Sequence, residues 1–459
     1  TGGIHWVKLS RLTLKQFEGY NRYSLFERNP WDPQAKQLTK RYADYYQRGS
    51  VQQDERWGNQ AFHGFAIDGA ELPENFSFSF LYGKAQTNVS QFQEIDNSNY
   101  QESIQFANTQ FYESLLPSFI LAGQLKKQFK KGYLAFNTMN GYAYKDSLAL
   151  ETNNYSLHSA SYNFELYDMQ FIGEIAASKF NDMDYGTAIV SKLNFPVKYT
   201  FLPIALEYFY VGSGVYNNNS EIINTSIQDG ISSDPTEGGV LQQNGSAIVG
   251  VGQLTNNRTG ITLNSEFNIG KVKINFGQTI SKELERITSN LTYGRKINSV
   301  TLSEFYRWQY VSNVGPYGRL SKVFRGAYET VTLDNKRNGE IAFDKYFNSF
   351  DLQAKYEYSF LKRKSYCFYL GSFNSAQSEA SPFVVFDESA YIRQYTHQLE
   401  NYLSVSDKTT ITTYLGYERV IGNYETDIDD QSFMPRNQEA IGIGLGADIA
   451  LTDNTALYI

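Results

Sequence analysis

Histidine is the side chain that most often serves as a metal ligand or a general base, and this chain of 459 residues holds four. They are His5, His63, His158 and His397, and none of them falls in an HExxH motif or another spacing of paired zinc ligands. His158 follows Ser156 near the predicted start of a strand, and Ser-His pairs occur in barrel lipases. No GxSxG elbow accompanies this pair. The histidines therefore predict neither a metal site nor a catalytic site.

The remaining groups that could do chemistry are also isolated. Cys367 is the one cysteine, so neither a disulfide framework nor a thiolate metal site can be built. It lies in the apolar stretch 366–370, where a small strand residue is the favoured interpretation over a nucleophile. The acidic residues Asp229, Asp234 and Glu237 could bind calcium, but their spacing is no EF-hand and a solvated loop is favoured. We therefore predict that the protein is not an enzyme and has no cofactor.

The strongest pattern in the chain is an alternation of apolar and polar residues. From Phe350 to Phe360, Phe, Leu, Ala and Tyr alternate with Asp, Gln, Lys, Glu and Ser. A strand points successive side chains to opposite faces, so one face of this strand is apolar and the other hydrophilic. The same alternation recurs from about residue 60 onward, for example at 76–80, 160–166, 204–210, 261–269 and 441–449. Many such strands separated by short turns predict a closed barrel with lipid outside and polar groups inside.

The predicted fold class is all-β, a transmembrane antiparallel β-barrel of about 18–20 strands (range roughly 16–22) with an N-terminal plug-like segment. The alternation assigns charged residues to the lumen and apolar residues to the lipid. The predicted lumen-facing residues are Glu165, Glu207, Glu266, Asp351, Lys355 and Glu357. The predicted lipid-facing residues are Phe76, Phe78, Phe80, Leu352, Tyr356 and Tyr358.

Composition agrees with a barrel and excludes other classes. The chain has 36 Tyr and 32 Phe, and aromatic girdles at both membrane interfaces use such residues. A Tyr-rich soluble β-protein, such as a carbohydrate-binding repeat or a propeller, is the alternative. There is no stretch of 18 apolar residues that could span a bilayer as a helix. The net charge of −7 argues against nucleic acid as a partner.

The links between the predicted strands indicate orientation. The stretch from Tyr216 to Arg258 is rich in Asn, Ser, Gly and Gln, and its composition predicts no core. Because bacterial barrels have short periplasmic turns and long external loops, we expect it outside the cell. Short and long links between the predicted strands then alternate along the chain. Tight links near 297–298 and 334–339 and a hairpin near Asn348 divide the stretch 285–348 into further predicted strands. The last strand is too short to span the membrane, so we expect the chain to continue beyond Ile459.

Two lysine-rich clusters fall on links that this alternation places in the periplasm. They are Lys126, Lys127, Lys130 and Lys131, and Lys362-Arg363-Lys364. They could contact lipid phosphates or a periplasmic partner, although plain solvated turns are the favoured interpretation.

Residues 1–60 form a separate N-terminal segment, and residues 61–459 form the predicted barrel. Up to Arg48 the segment has nine basic and four acidic residues, and its alternation fails after Leu14. A first strand is possible around 4–14, and the remainder could be a plug, a loop-like lead-in or a periplasmic segment. An acidic lumen would attract basic residues, so we expect residues 15–60 to pack inside or across the barrel mouth.

The stretches Trp57–Phe65, Leu72-Pro73 and Phe80–Lys84 resemble large outer-membrane β-barrel proteins of Bacteroidota. Some of these resemble alginate-export porins, and others look like barrel subunits of multi-protein machines. The resemblance implies the outer membrane of a Gram-negative bacterium. The expected function is a porin-like channel or a conduit for polymers or solutes. The alternative is an accessory barrel subunit of an outer-membrane complex for protein insertion or secretion. The expected partners are outer-membrane lipid, lipopolysaccharide and other outer-membrane or periplasmic proteins, with no nucleic acid.

Overall fold

The computed structural model describes residues 2–4, 6–17, 62–85, 118–144, 152–182, 184–215, 217, 220–223, 251–252, 254–284, 290–294, 330–334, 336–337, 340–341, 346–377, 391–423, 437–452 and 455–458. Within these ranges the protein is all-β, and its only helical element is a single 3-10 turn at Pro73–Asn75. The predicted all-β class and the antiparallel sheet are therefore confirmed.

The strands are as follows in chain order: β1 (Gly2–Ile4), β2 (Trp6–Ser10), β3 (Leu14–Phe17), β4 (Phe62–Leu72), β5 (Phe76–Ala85), β6 (Ser118–Phe129), β7 (Gly132–Tyr144), β8 (Thr152–Leu166), β9 (Met169–Phe180), β10 (Gly186–Phe195), β11 (Ile204–Val211), β12 (Ile222–Ile223), β13 (Leu254–Thr255), β14 (Arg258–Ile269), β15 (Val272–Glu283), β16 (Asn290–Gly294), β17 (Thr330–Asp334), β18 (Lys336–Arg337), β19 (Glu340–Ile341), β20 (Tyr346–Phe360), β21 (Arg363–Gln377), β22 (Tyr391–Ser404), β23 (Thr409–Asn423), β24 (Asn437–Thr452) and β25 (Thr455–Tyr458).

Seventeen of these strands form one antiparallel sheet. The sheet runs in chain order from β4 through β11, continues with β14 and β15, and ends with β20 through β25. β1 pairs with the other edge of β4. Among the described residues no ladder joins β25 to β1 or β4, so the sheet is not closed into a barrel there. The closed barrel and its number of strands stay predictions.

Short and long links between neighbouring strands alternate. Several short links are two-residue turns, such as Tyr167-Asp168 between β8 and β9 and Leu361-Lys362 between β20 and β21. All four of these residues have positive φ, as a type I′ turn requires, and this turn type matches the twist of a hairpin. Because neighbouring strands are antiparallel, successive links lie at opposite ends of the sheet, and the short links share one end. The exception is the stretch around β10, where residues 196–203 form a longer link at the short-link end and residues 181–185 a shorter link at the other end.

The predicted strands between residues 285 and 348 are wrong in their pairing. β20 runs unbroken through Asn348 and pairs directly with β15, so there is no hairpin at that position. The described pieces of the intervening stretch pair with each other, β16 with β17 and β18 with β19. Alternation predicts that a segment is a strand, but it carries no information on which strand is its neighbour. This stretch is therefore a long insertion between two adjacent strands of the main sheet.

The two faces of the main sheet have opposite character. One face, which we call the apolar face, exposes Leu, Ile and aromatic side chains along its length; Ile175, for example, is 55% exposed. On the opposite face, which we call the packed face, the neighbouring Glu174 is only 2% exposed. An exposed apolar surface of this extent is unusual for a protein surrounded by water.

The hydrophobic core lies on the packed face of the first half of the sheet. Strand residues such as Leu157 and Val190 are buried there against side chains from outside the sheet. These are Leu9, Leu12, Leu14, Val215, Ile222 and Leu254. Both ends of the 216–258 loop therefore contribute to a core, contrary to the expectation from its composition. The middle of that loop, including Asp229, Asp234 and Glu237, lies outside the described residues.

Candidate functional site

The residues at the centre of the core belong to the turn of the β2–β3 hairpin. Residues 9–14, which we call the N-terminal turn, connect the two strands after a register shift between Lys8 and Ser10. Leu12 and Leu14 are fully buried on the packed face. Burying a leucine side chain contributes about 1.5–3 kcal/mol, so these leucines favour docking of the turn on the sheet.

A buried carboxylate on β9 binds this turn. Glu174 accepts hydrogen bonds from the Ser10 hydroxyl (2.7 Å) and from the Leu12 backbone N–H (3.1 Å). The Ser159 hydroxyl on β8 donates to the same carboxylate at 2.5 Å, and Thr13 lies 3.0 Å from Ser159 between their hydroxyl oxygens. A buried carboxylate is tolerated when donors surround it, and here the turn supplies several of them.

A second contact is an ion pair. The guanidinium of Arg11 donates from both terminal nitrogens to Glu207 on β11, at 2.8 and 3.1 Å. Its Nε donates to Glu221 at 2.5 Å. The planar fork of arginine matches a carboxylate in this bidentate geometry, which makes the contact strong and directional.

Burial opposes the charge of Arg11, but Glu207 and Glu221 outweigh this effect and raise the pKa of the guanidinium. Arg11 is therefore charged under all ordinary conditions. Lys192 on β10 lies directly opposite Glu207 in the strand register, so a second basic residue stands close to this carboxylate.

Amide side chains satisfy the backbone of the turn. Gln124 on β6 donates to the Leu9 carbonyl at 2.7 Å. Asn217, at the start of the long loop, donates to the carbonyls of Leu12 (2.8 Å) and Thr13 (2.7 Å). Buried backbone groups need such partners, and the turn finds them on the sheet and the loop. The arrangement is a binding surface for a short peptide turn with one arginine.

The predicted lumen-facing residues all lie on the packed face by strand alternation, but they do not form one site. Glu207 is buried in the ion pair with Arg11, whereas Glu165 is exposed. Glu266 pairs with Lys273 (2.5 Å), and Glu357 pairs with Lys364 (3.0 Å). Asp351 is half-buried on β20, as is Lys355, whose ammonium lies 4.6 Å from the centre of the Tyr366 ring. Their exposure to a lumen stays a prediction.

The predicted lipid-facing residues lie on the apolar face. Phe78 and Tyr356 are exposed there, and Phe76, Phe80 and Leu352 are half-buried. Tyr358 is also half-buried, and its hydroxyl donates to Asn401 at 2.5 Å. Contact of these residues with lipid stays a prediction.

Among the described residues, His158 and His397 are the histidines whose side chains can be placed. His158 is exposed on the apolar face, where Nδ1 lies 2.8 Å from the Thr138 hydroxyl and the ring stacks on Phe136. His397 is also exposed there and shares a contact with Tyr369. In the described part of the chain no three His, Cys, Asp or Glu side chains are grouped so as to hold a metal ion. The same residues include no helix long and apolar enough to cross a membrane.

Sequence reasoning missed most residues of this site, among them Arg11, Glu174 and Asn217. Glu174 carried a usable signal, because it is the one carboxylate in a strand of small and apolar residues. Arg11 and Asn217 carried none, because the sequence does not show which distant segments meet. No family model, no curated protein and no solved structure matches this chain. The resemblance to Bacteroidota outer-membrane barrels therefore stays a prediction.

Proposed function

We propose that the protein is an outer-membrane β-barrel that acts as a porin-like channel or solute conduit. The observation that carries this proposal is the apolar face, which exposes aliphatic side chains on one strand after another. Leu125, Ile175, Leu399 and Leu415, near the middles of their strands, are examples. Lipid is the solvent in which such a face is stable, and a sheet in lipid has to close because unpaired edges are costly there.

Aromatic contacts on the apolar face flank this aliphatic zone. Toward the long-link end, Phe119 lies 5.8 Å from Tyr82 and 5.5 Å from Tyr142, measured between ring centres. Toward the short-link end, Phe129 lies 6.0 Å from Phe164, and Tyr356 lies 5.7 Å from Tyr358. Membrane barrels have aromatic girdles at both interfaces, so the arrangement supports an orientation across a bilayer.

Strand length supports the same proposal. β20 through β24 have 14 to 16 residues each. A tilted strand needs about 9–11 residues to cross the hydrocarbon core. The excess length projects beyond the membrane.

Reconstitution into planar bilayers tests this function. We expect the full chain to insert and to produce discrete conductance steps. A chain that inserts stably but never conducts, with or without residues 1–17, would exclude a channel.

The alternative is an accessory barrel of an outer-membrane complex, and the filling of the packed face favours it. The N-terminal turn and both ends of the long loop occupy the surface where a wide pore would be open. Gentle extraction followed by native mass spectrometry distinguishes the two functions. Stoichiometric partner proteins on a barrel that does not conduct would favour the accessory role.

A further inference from the structure

We propose that the N-terminal turn is a releasable latch that closes the conduit from within, with Glu174 and Glu207 as its receptor on the sheet. This inference rests on the proposed function as a conduit. It goes beyond that function because it assigns the closed state and the selectivity of the open state to particular residues.

The contacts between the N-terminal turn and the main sheet are of a kind that allows the turn to leave the sheet. In the described residues β2 and β3 pair only with each other, so no strand ladder fixes the hairpin to the main sheet. The contacts of the turn run mainly through side chains, with Arg11 on Glu207 and Ser10 on Glu174, and one backbone hydrogen bond joins the Glu221 N–H to the Arg11 carbonyl at 2.9 Å. Release exchanges the polar contacts for water and exposes Leu12 and Leu14 without breaking the sheet, whereas β1 is joined to β4 by backbone pairing.

Release would change the charge of the surface that remains. Glu207 would lose both hydrogen bonds from Arg11, and Glu174 would lose those from Ser10 and Leu12. Two carboxylates would then face water in a confined space, with Lys192 as the basic residue opposite Glu207 in the strand register. Rings of acidic side chains give pores a preference for cations. The closed latch therefore hides the groups that would select cations in the open conduit.

The first experiment uses the Arg11→Ala variant of the full chain in planar bilayers. Arg11 joins the turn to two carboxylates, so removing its guanidinium should make open events at least roughly tenfold more frequent. The reversal potential in a salt gradient should shift toward the cation potential, and adding Glu207→Gln should reduce that shift. The matched control is Arg363→Ala, because Arg363 begins β21 and pairs with Asp407 in the link between β22 and β23, outside the latch and the strands that hold it.

The second experiment locks the latch without removing a charge. The Thr13 and Ser159 hydroxyl oxygens are 3.0 Å apart, so Thr13→Cys with Ser159→Cys places two sulfurs within reach of a disulfide. Cys367→Ala in the same chain prevents mispairing. We expect oxidation to abolish conductance and reduction to restore it in the same sample, while each single-cysteine variant ignores both treatments.

Each outcome decides the proposal. If oxidised and reduced protein conduct equally while the disulfide is present by mass spectrometry, the latch is wrong and the channel function survives. If Arg11→Ala opens no more often than Arg363→Ala, the latch is also wrong. If inserted barrels are silent in every variant, including the reduced one, the latch and the conduit fail together.

Discussion

At the scale of single residues, carboxylates that occupy equivalent positions in the sequence pattern differ in burial. Glu207 and Glu266 both occupy polar positions of alternating strands, yet Glu207 is buried against Arg11 and Glu266 is exposed beside Lys273. A buried ion pair loses much when one partner is removed, because the other charge stays behind without compensation. An exposed pair is screened by water and contributes little.

Arg11 would keep Glu221 as a partner, so we predict that Glu207→Gln lowers the free energy of unfolding by about 1.5–3 kcal/mol, as for loss of hydrogen bonds to a charged group. Glu266→Gln, the matched control, should change it by less than about 1 kcal/mol. Chemical unfolding in detergent micelles, followed by tyrosine fluorescence, measures both values. Equal effects of the two substitutions would show that Arg11 does not depend on Glu207.

Alternation in the sequence predicted the face on which Glu207 lies, but not its partner. Arg11 is 196 residues away along the chain, and no local pattern connects the two positions. The prediction that basic residues of the N-terminal segment meet acidic strand residues stays a prediction. It was assigned to residues 15–60, most of which lie outside the described residues.

At the scale of elements, the short turns carry conformations that their residues disfavour. Leu361 and Lys362 have φ values of 49° and 62°, in the left-handed region. Side chains with a Cβ atom pay about 1–2 kcal/mol each for this conformation. Leu361 is also exposed, so its side chain gains little from burial.

Replacing the turn residues should therefore stabilise the β20–β21 hairpin. We predict that Leu361→Asn with Lys362→Gly raises the free energy of unfolding by about 1 kcal/mol, because Asn-Gly is the preferred type I′ pair. Leu361→Ala with Lys362→Ala removes the same side chains, keeps the strain and should not stabilise. If both double variants behaved alike, the turn would not have the conformation described above.

Element existence was easier to predict than element pairing. The strand over 350–360 followed from its alternation, and the structure extends it to Tyr346–Phe360. Its neighbour β15 could not be predicted, because the two strands are separated by a long insertion that also contains strand-like stretches. Pairing depends on contacts between whole strands, which a local pattern does not encode.

At the scale of the whole molecule, the apolar face has to meet either lipid or another protein. Ile175 lies near the middle of β9 on this face, and Tyr167 lies in a short turn at its edge. Both side chains are exposed, so the two positions differ in their expected depth in a membrane and not in how tightly they are packed by neighbouring residues.

In lipid, Ile175→Arg should destabilise the protein by about 2–4 kcal/mol, because charge at the bilayer midplane is costly on a barrel's outer face. Tyr167→Arg should change stability by less than about 1 kcal/mol, since its turn lies at the interface, where that cost is small. Unfolding in phospholipid vesicles measures both. A small effect at Ile175 would indicate that this face meets water or a partner protein instead.

The order of the strands also has a consequence for the path by which the molecule folds. Most strands of the main sheet pair with the next strand of that sheet along the chain, so much of the sheet can grow by successive closure of short loops. The contact between Arg11 and Glu207 closes a loop of 196 residues, which costs about 2–3 kcal/mol more entropy than a hairpin does. We therefore expect the contact of the N-terminal turn with β11 to form after most strand pairs of the main sheet. During folding the sheet would then pass through a stage in which its packed face is hydrated.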